Sequence, residues 1–351
     1  MFEIQGQKIT KNNVLTSYNF ARIADVVYAE AIPDEDYSKL QTKHTFKIKS
    51  TNGYTLYKTI RFTLYENCVV FCHLDLIHGL FEHLQDINEF NNITLITSQS
   101  DNSVTKKLYN QKPKCISQWF STNVEYQHSK VTPIPLGIAN LRNTKNIIFE
   151  DYLNTDLRKL KKNKVFANFN LNTNYFHRFY ALKKFFENDL LVLSKPTQTY
   201  EEYLNSLVES KYTLSPWGNG VDTHRIWESI YAGSIPITKS HTTFSYFSNL
   251  PIILLDSYDD FKIENIKSIN FDNMNYEMLT ISWWERIIRP SQNIDLSKPK
   301  LFKESQKKNQ ENISFYHNKI KRENLSKSAY TIFRKLHKKI LGKKINEFIS
   351  V

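Results

Sequence analysis

At 351 residues, 40% of them apolar and 14% aromatic, the chain is long enough for two cores and too apolar to be disordered. No apolar run reaches the ~18 residues of a membrane-spanning helix, and the opening MFEIQGQKITKNN has no apolar stretch of the secretory kind. The net charge of +12 does not make a nucleic-acid-binding fold, because residues 297–351 hold 15 Lys and Arg against 4 Asp and Glu and leave residues 1–296 at +1.

Up to about residue 65 the pattern assigns only the strands of HTFKIKSTNGYTLYKTIRFTLY, joined by the turn Asn52-Gly53. CVVFCHLDLI, from Cys68 on, reads as a buried strand. Its Cys68 and Cys72, with Cys115, make an odd count without paired spacing, which points to a reducing, cytoplasmic compartment and not to disulfides. HGLFEHLQDINEF has helical spacing through Leu80, Leu84 and Ile87, and NITLITSQSD is a strand running into a polar loop. One more helix–strand alternation ends at KVTPIPLGIAN. This rhythm predicts a parallel sheet. TKNIIFEDYLNTDLRKLKKNK reads as a link, after which a second alternation runs from KVFANFNLNTNYFHRFYALKKFF to IPIILLDSYDDF.

The fold expected is α/β with two Rossmann-like domains facing a cleft, over residues 1–160 and 161–290. A basic spacer and an amphipathic helical tail would occupy 291–351. In that tail Phe333, Leu336 and Ile340 stand at i, i+3 and i+7, with Lys335, Lys338 and Lys339 between them. Such a helix lies on an anionic membrane surface or docks on the chain's own core.

Residues 211–237, KYTLSPWGNGVDTHRIWESIYAGSIPI, carry the densest chemistry. A strand ends at Ser215-Pro216, and Gly218 and Gly220 allow a sharp turn and close approach of the backbone to a ligand. Asp222 or Thr223 suits the N-cap of a helix that runs to Gly233. Strand, glycine loop, helix and strand together set a helix N-terminus at the C-terminal edge of a parallel sheet, where unpaired N–H groups and the helix dipole favour a phosphate. Arg225 can add a bidentate contact. Glu228 shares a helical face with His224 and Arg225 and can accept hydrogen bonds from two ribose hydroxyls. The same residues also read as an ordinary ion pair beside a capping Asp222. The spacing fits neither a P-loop nor GxGxxG.

LSPWGNGVDTHRIWESIYAGSIPI resembles the donor-binding motif of exostosin-like glycosyltransferases of the GT-B type, and more distantly that of fucosyltransferases. The run ITLITSQSD followed by WFSTNVEYQHSKVTPIPLGIAN resembles the N-terminal signature of a bacterial and viral branch, with Ser98-Gln99 where His-Asn is usual. FANFNLNTNYFHR resembles that branch's entry to the donor domain. The resemblance covers residues 68–260.

It implies an enzyme that transfers a sugar from a nucleotide sugar with inversion and without metal or other cofactor; with the basic tail, the expected acceptor is a hydroxyl of a cell-surface polysaccharide or lipid-linked glycan, reached from the cytoplasm near the membrane. Ser215, Gly218, Asn219, Asp222, His224, Arg225 and Glu228 would hold the nucleotide, with Arg178 as a second cation for the diphosphate. A general base is also required, and Asp101, Asp75 and His73 qualify because each follows a strand. For both aspartates an Asx turn or a helix cap is the competing role. His128 would bind acceptor or phosphate, or make a structural hydrogen bond. Other readings are an epimerase-like enzyme using a nucleotide sugar and an inactive glycan- or nucleic-acid-binding protein.

Overall fold

The structure is a computed structural model, described over residues 1–40, 42–142, 146–186, 190–194, 198–262, 273–289 and 295–304, with Thr331 and Lys335. A hairpin of β1 (Phe2–Ile4) and β2 (Gln7–Ile9) leads into β3 (Val26–Pro33), β4 (Thr45–Thr51), β5 (Tyr54–Thr59) and β6 (Arg61–Glu66). Next come β7 (Val69–His73), β8 (Ile93–Ser98), β9 (Ile116–Ser121) and β10 (Val131–Pro133). Seven of these form a sheet in the order β10-β9-β8-β7-β3-β5-β4. It is parallel from β10 to β3 and antiparallel at the β3–β5–β4 edge. The β4–β5 turn is the Asn52-Gly53 pair, with φ of 56° and 81°, as the hairpin reading requires.

A second sheet is built from β11 (Lys162–Ala167), β12 (Leu191–Leu193), β13 (Ser210–Leu214), β14 (Ile235–Lys239) and β15 (Ile253–Leu255). Its order is β12-β11-β13-β14-β15, and every pair is parallel. All five residues of β7 are buried, the pattern of a strand covered on both faces. The helix Ile77–Leu84 covers it with Ile77, Leu80, Phe81 and Leu84, one apolar stripe at helical spacing. Ile87 lies beyond that helix but is buried in the same cluster.

One apolar core joins the two sheets. It includes Val69, Phe71, Ile96 and Phe120 from the first sheet, Phe166 from the second, and Trp227, Ile230 and Tyr231 from the helix His224–Tyr231. Ile147, Phe149 and Tyr152 belong to it as well, so the segment read as a link is packed inside. Each such ring or aliphatic chain contributes about 1.5–3 kcal/mol by its burial, and separating the sheets would forfeit that from both sides.

Chain beyond residue 290 returns to the first sheet's side. β16 (Asp295–Lys303) pairs antiparallel with β6, and Phe302 stacks on Phe62 at 5.0 Å. Glu304 is buried against Lys58 and His83, and Tyr28 donates its hydroxyl to the same carboxylate at 3.1 Å. The stretch expected to open a spacer therefore starts as a strand of the fold. Phe333, Leu336, Ile340, Lys338 and Lys339 lie outside the described residues. Among the described residues no helix is long and apolar enough to cross a membrane. Cys68, Cys72 and Cys115 are buried free thiols, and burial pushes Cys68 and Cys115 up to about 11.

Candidate active site

The C-terminal ends of β7, β8 and β9 meet the loops after β11 and β13 around a cleft of about 690 Å³. That is where parallel α/β sheets bind ligands, since loops from neighbouring strands diverge there. His73, Asp75, Gln99, Ser100, Asp101 and Asn123 border it on one side. Arg178, Gly218, Asn219, Thr223, His224, Arg225 and Glu228 border it on the other.

On the second side, Gly218 and Gly220 both keep negative or extended φ, so neither is needed for its turn. Their role is space. A Cβ on Gly218 would lie 3.2 Å from the Arg178 guanidinium, and one on Gly220 would lie 2.8 Å from the Asn123 amide. Ser215 is fully buried, donates its backbone N–H to Ile237 O at 2.8 Å, and does not border the cleft. Asp222 is not the cap. Its carboxylate accepts the Trp227 indole N–H at 2.9 Å and the Leu136 N–H at 2.8 Å, and burial pushes it up to about 7. Thr223 takes the cap position in extended conformation, yet its side chain makes no capping bond. Asn219 is exposed at the rim.

His224 places Nδ1 2.7 Å from Gly137 O, which requires the proton on Nδ1. Glu228, which shares a helical face with His224 and Arg225, is only 3% exposed. It accepts the Tyr203 hydroxyl at 2.9 Å and the Ile147 N–H at 3.2 Å. Burial raises its carboxyl, with His224 and Arg225 acting against that rise.

Arg178, at 5% exposure, comes from the helix Tyr175–Phe186. It donates Nε to Trp217 O at 2.9 Å and Nη1 to Asn170 O at 2.7 Å. Burial, and then the nearby charge of Arg225, lowers it to about 9. Both guanidiniums lie against the Phe169 ring, at 5.7 Å for Arg178 and 5.6 Å for Arg225. Neither has a carboxylate within ion-pair distance among the described residues. Two guanidiniums this close repel each other, and an anion placed between them would relieve that repulsion.

On the first side, Gln99 and Asn123 follow β8 and β9 with φ of 63° and 50°. A left-handed conformation costs a residue bearing a Cβ roughly 1–2 kcal/mol, and here side-chain bonds hold it. Gln99 pairs doubly with Ala31, accepting its N–H at 2.8 Å and donating to its carbonyl at 3.0 Å. Asn123 accepts the Asp222 N–H at 2.9 Å and donates to Ser100 O at 3.2 Å. Asp75 is half-buried, and its Oδ1 accepts from Ser100 Oγ at 2.7 Å and Asn102 Nδ2 at 2.6 Å. His73 is buried and accepts the Asp75 N–H at 3.3 Å. Asp101 is exposed at the rim.

His128 stands away from the cleft, accepting the Lys130 N–H at 3.0 Å and packing on Tyr109. Among the described residues no group of three His, Cys, Asp or Glu is placed to hold a metal. Sequence reasoning did not single out Asn123 or Phe169, and it named Gln99 only as a departure from the resembled signature. For Asn123 a signal existed, as an Asn belongs to the N-terminal signature that WFSTNVEYQHSK resembles.

Residues 185–261 match the family model described as RXYLT1 C-terminal domain, of the exostosin-like xylosyltransferase family. That match spans the glycine loop and the helix His224–Tyr231, the stretch on which the motif resemblance rests. Among solved structures the chain is similar to a crystal structure of an alpha1,3-fucosyltransferase with GDP-fucose, at 12% identity and a TM-score of 0.29, over 64% of this chain and 79% of that one. No curated protein sequence matches the chain.

Proposed function

We propose that the protein is an inverting GT-B-type glycosyltransferase that draws its sugar from a nucleotide sugar and needs no metal. One observation carries this reading. Arg178 and Arg225 lie together on Phe169 at a helix N-terminus, with no carboxylate within ion-pair distance among the described residues, while Asp75 and Asp101 border the opposite wall. The sheet of β11 to β15 would serve as the donor half and the sheet of β3 to β10 as the acceptor half.

In the reaction so derived, the acceptor hydroxyl attacks the anomeric carbon as a carboxylate takes its proton. The bond from that carbon to the diphosphate oxygen breaks on the opposite face, and the configuration inverts. Charge then grows on the leaving diphosphate, and the two guanidiniums and the helix N-terminus are fixed where it appears. That is the part a divalent cation plays in other phosphate sites.

Asp75 is the better placed base, because two hydrogen bonds fix its orientation at the wall of the cleft. Glu228 borders the same pocket with carboxylate lone pairs to spare for the ribose hydroxyls. The acceptor would be a glycan of a cell-surface polysaccharide or lipid, with the basic stretch after Ser297 near an anionic membrane.

The test is thermal stabilisation by a panel of nucleoside diphosphates and nucleotide sugars with EDTA present. The reading expects one base family to raise the melting temperature of the wild type and to lose that effect in R225A. No shift with any member would reject it.

A further inference from the structure

We infer that Gln99 is a positioning residue for the general base: it spans the gap left where β7 ends and so sets Ser100 against Asp75. This rests on the glycosyl-transfer reading above and adds a residue which that reading does not use. In the first sheet Ala29 pairs with Cys72 and Cys72 with Thr97, one row across β3, β7 and β8. Equivalent positions recur every second residue along a strand, so the next such row is Ala31, Leu74 and Gln99. By then β7 has ended. Leu74 opens the 3-10 helix Leu74–Leu76, which carries Asp75 to the cleft wall.

Ala31 pairs with Leu56 of β5 on one side, and on the other its backbone faces a strand that is no longer there. Gln99 takes that strand's place. Its side-chain amide accepts the Ala31 N–H at 2.8 Å and donates to the Ala31 carbonyl at 3.0 Å, with donor and acceptor side by side as in a paired strand.

The same bonds hold Gln99 at a φ of 63°, a turn out of β8 that delivers Ser100. Ser100 Oγ donates to Asp75 Oδ1 at 2.7 Å and accepts the Asn102 N–H at 3.1 Å, and the Ser100 carbonyl accepts Asn123 Nδ2 at 3.2 Å. With its amide committed to Ala31, Gln99 affects the reaction through Ser100. A base displaced by about an ångström loses rate, whereas a diphosphate bound on the far wall keeps its own contacts.

A double-mutant cycle tests this. Release of nucleoside diphosphate from UDP-glucose, UDP-xylose, UDP-N-acetylglucosamine, GDP-mannose and GDP-fucose is followed in the wild type, Q99A, Q99N, S100A, D75N and Q99A/D75N. Isothermal titration of UDP, GDP, ADP and CDP runs alongside. We expect Q99A and S100A to lower turnover about 10- to 100-fold, with nucleotide affinity within about threefold of the wild type. Asparagine tolerates a positive φ but lacks the reach, so Q99N should fall with Q99A. Because Gln99 works through Asp75, Q99A/D75N should turn over no more slowly than D75N. Losses that multiply in the double variant overturn the assignment and leave the donor reading standing. So does full turnover in Q99A, Q99N, S100A or D75N, and so does a wild type that binds a nucleotide but turns over none of the five donors. An equal loss of nucleotide affinity and turnover in Q99A overturns it as well, since Gln99 would then merely hold the fold together. Should Q99A fail to fold, Q99N and S100A decide by the same criteria. A wild type that binds none of the four nucleotides rejects the donor reading itself.

Discussion

The Asn123 side-chain carbonyl accepts the backbone N–H of Asp222 at 2.9 Å, which ties the end of β9 to the glycine loop on the other side of the cleft. Its amide holds Ser100 O, so one buried residue spaces the carboxylate loop from the helix N-terminus. N123A would leave a buried N–H and a carbonyl unpaired and keep a Cβ in a left-handed conformation. A loss of about 2 kcal/mol is expected. N123G should recover only the backbone share. Urea unfolding midpoints of the three proteins measure both.

The carboxylates should separate by role. D75N is expected to lower turnover about 10²–10⁴-fold with nucleotide affinity unchanged, since removal of a general base affects the chemical step. D101N should cost far less, because that side chain is exposed at the rim. Paired kinetics and titration on both variants check this, and the reverse order would move the base to Asp101.

Asp222 gives stability a definite pH slope. Its carboxyl is pushed up to about 7 by burial, above its ordinary value of 3.8. Between those values the folded chain keeps a proton that the unfolded chain has released. The contribution is therefore complete below the unfolded value, falls as pH rises, and is gone above about 7, with a slope of at most ~1.4 kcal/mol per pH unit. Glu30, also pushed up to about 7 by burial, slopes the same way. Only the difference between wild type and D222N isolates Asp222. Unfolding free energies from about pH 5 to about pH 8 should show the wild type losing stability relative to D222N.

Glu304 works in the opposite sense. Burial alone would raise it, but hydrogen bonds from His83 and Lys58 outweigh burial and hold it near 2. Its contribution is present above about 4.5 and lost as pH falls towards about 2. E304A leaves Lys58, 3% exposed, without its carboxylate, and should cost about 3–5 kcal/mol. Hydrogen exchange along Arg61–Glu66 should speed up in that variant, because β16 loses its anchor next to β6.

The repeating part of the fold was legible because it is local. The run CVVFCH is apolar throughout, as a strand covered on both faces must be, and Asn52-Gly53 can take the two positive φ values its turn demands. The glycine loop and Arg225 were legible for the same reason. What long-range packing decides was hidden. Nothing in IIFEDYL says that Ile147 and Phe149 enter a core shared by both sheets, or that Glu228 meets Tyr203 and Ile147. Ser215 sits in the motif, yet its hydroxyl turns inward, a direction fixed by strand register. Gly218 and Gly220, read as allowing a sharp turn and close approach to a ligand, give clearance to Arg178 and Asn123, neighbours distant in sequence.

The most direct test of the central claim is to ask which bond of a nucleotide sugar is broken. A panel of sugar nucleotides would be incubated with the protein, with and without polysaccharide acceptors, and the products separated by ion exchange. The account predicts a nucleoside diphosphate released from one donor, with the sugar joined to acceptor or water in inverted configuration. Nucleoside monophosphate with sugar phosphate, an epimerised but intact donor, or no turnover of any member would contradict it.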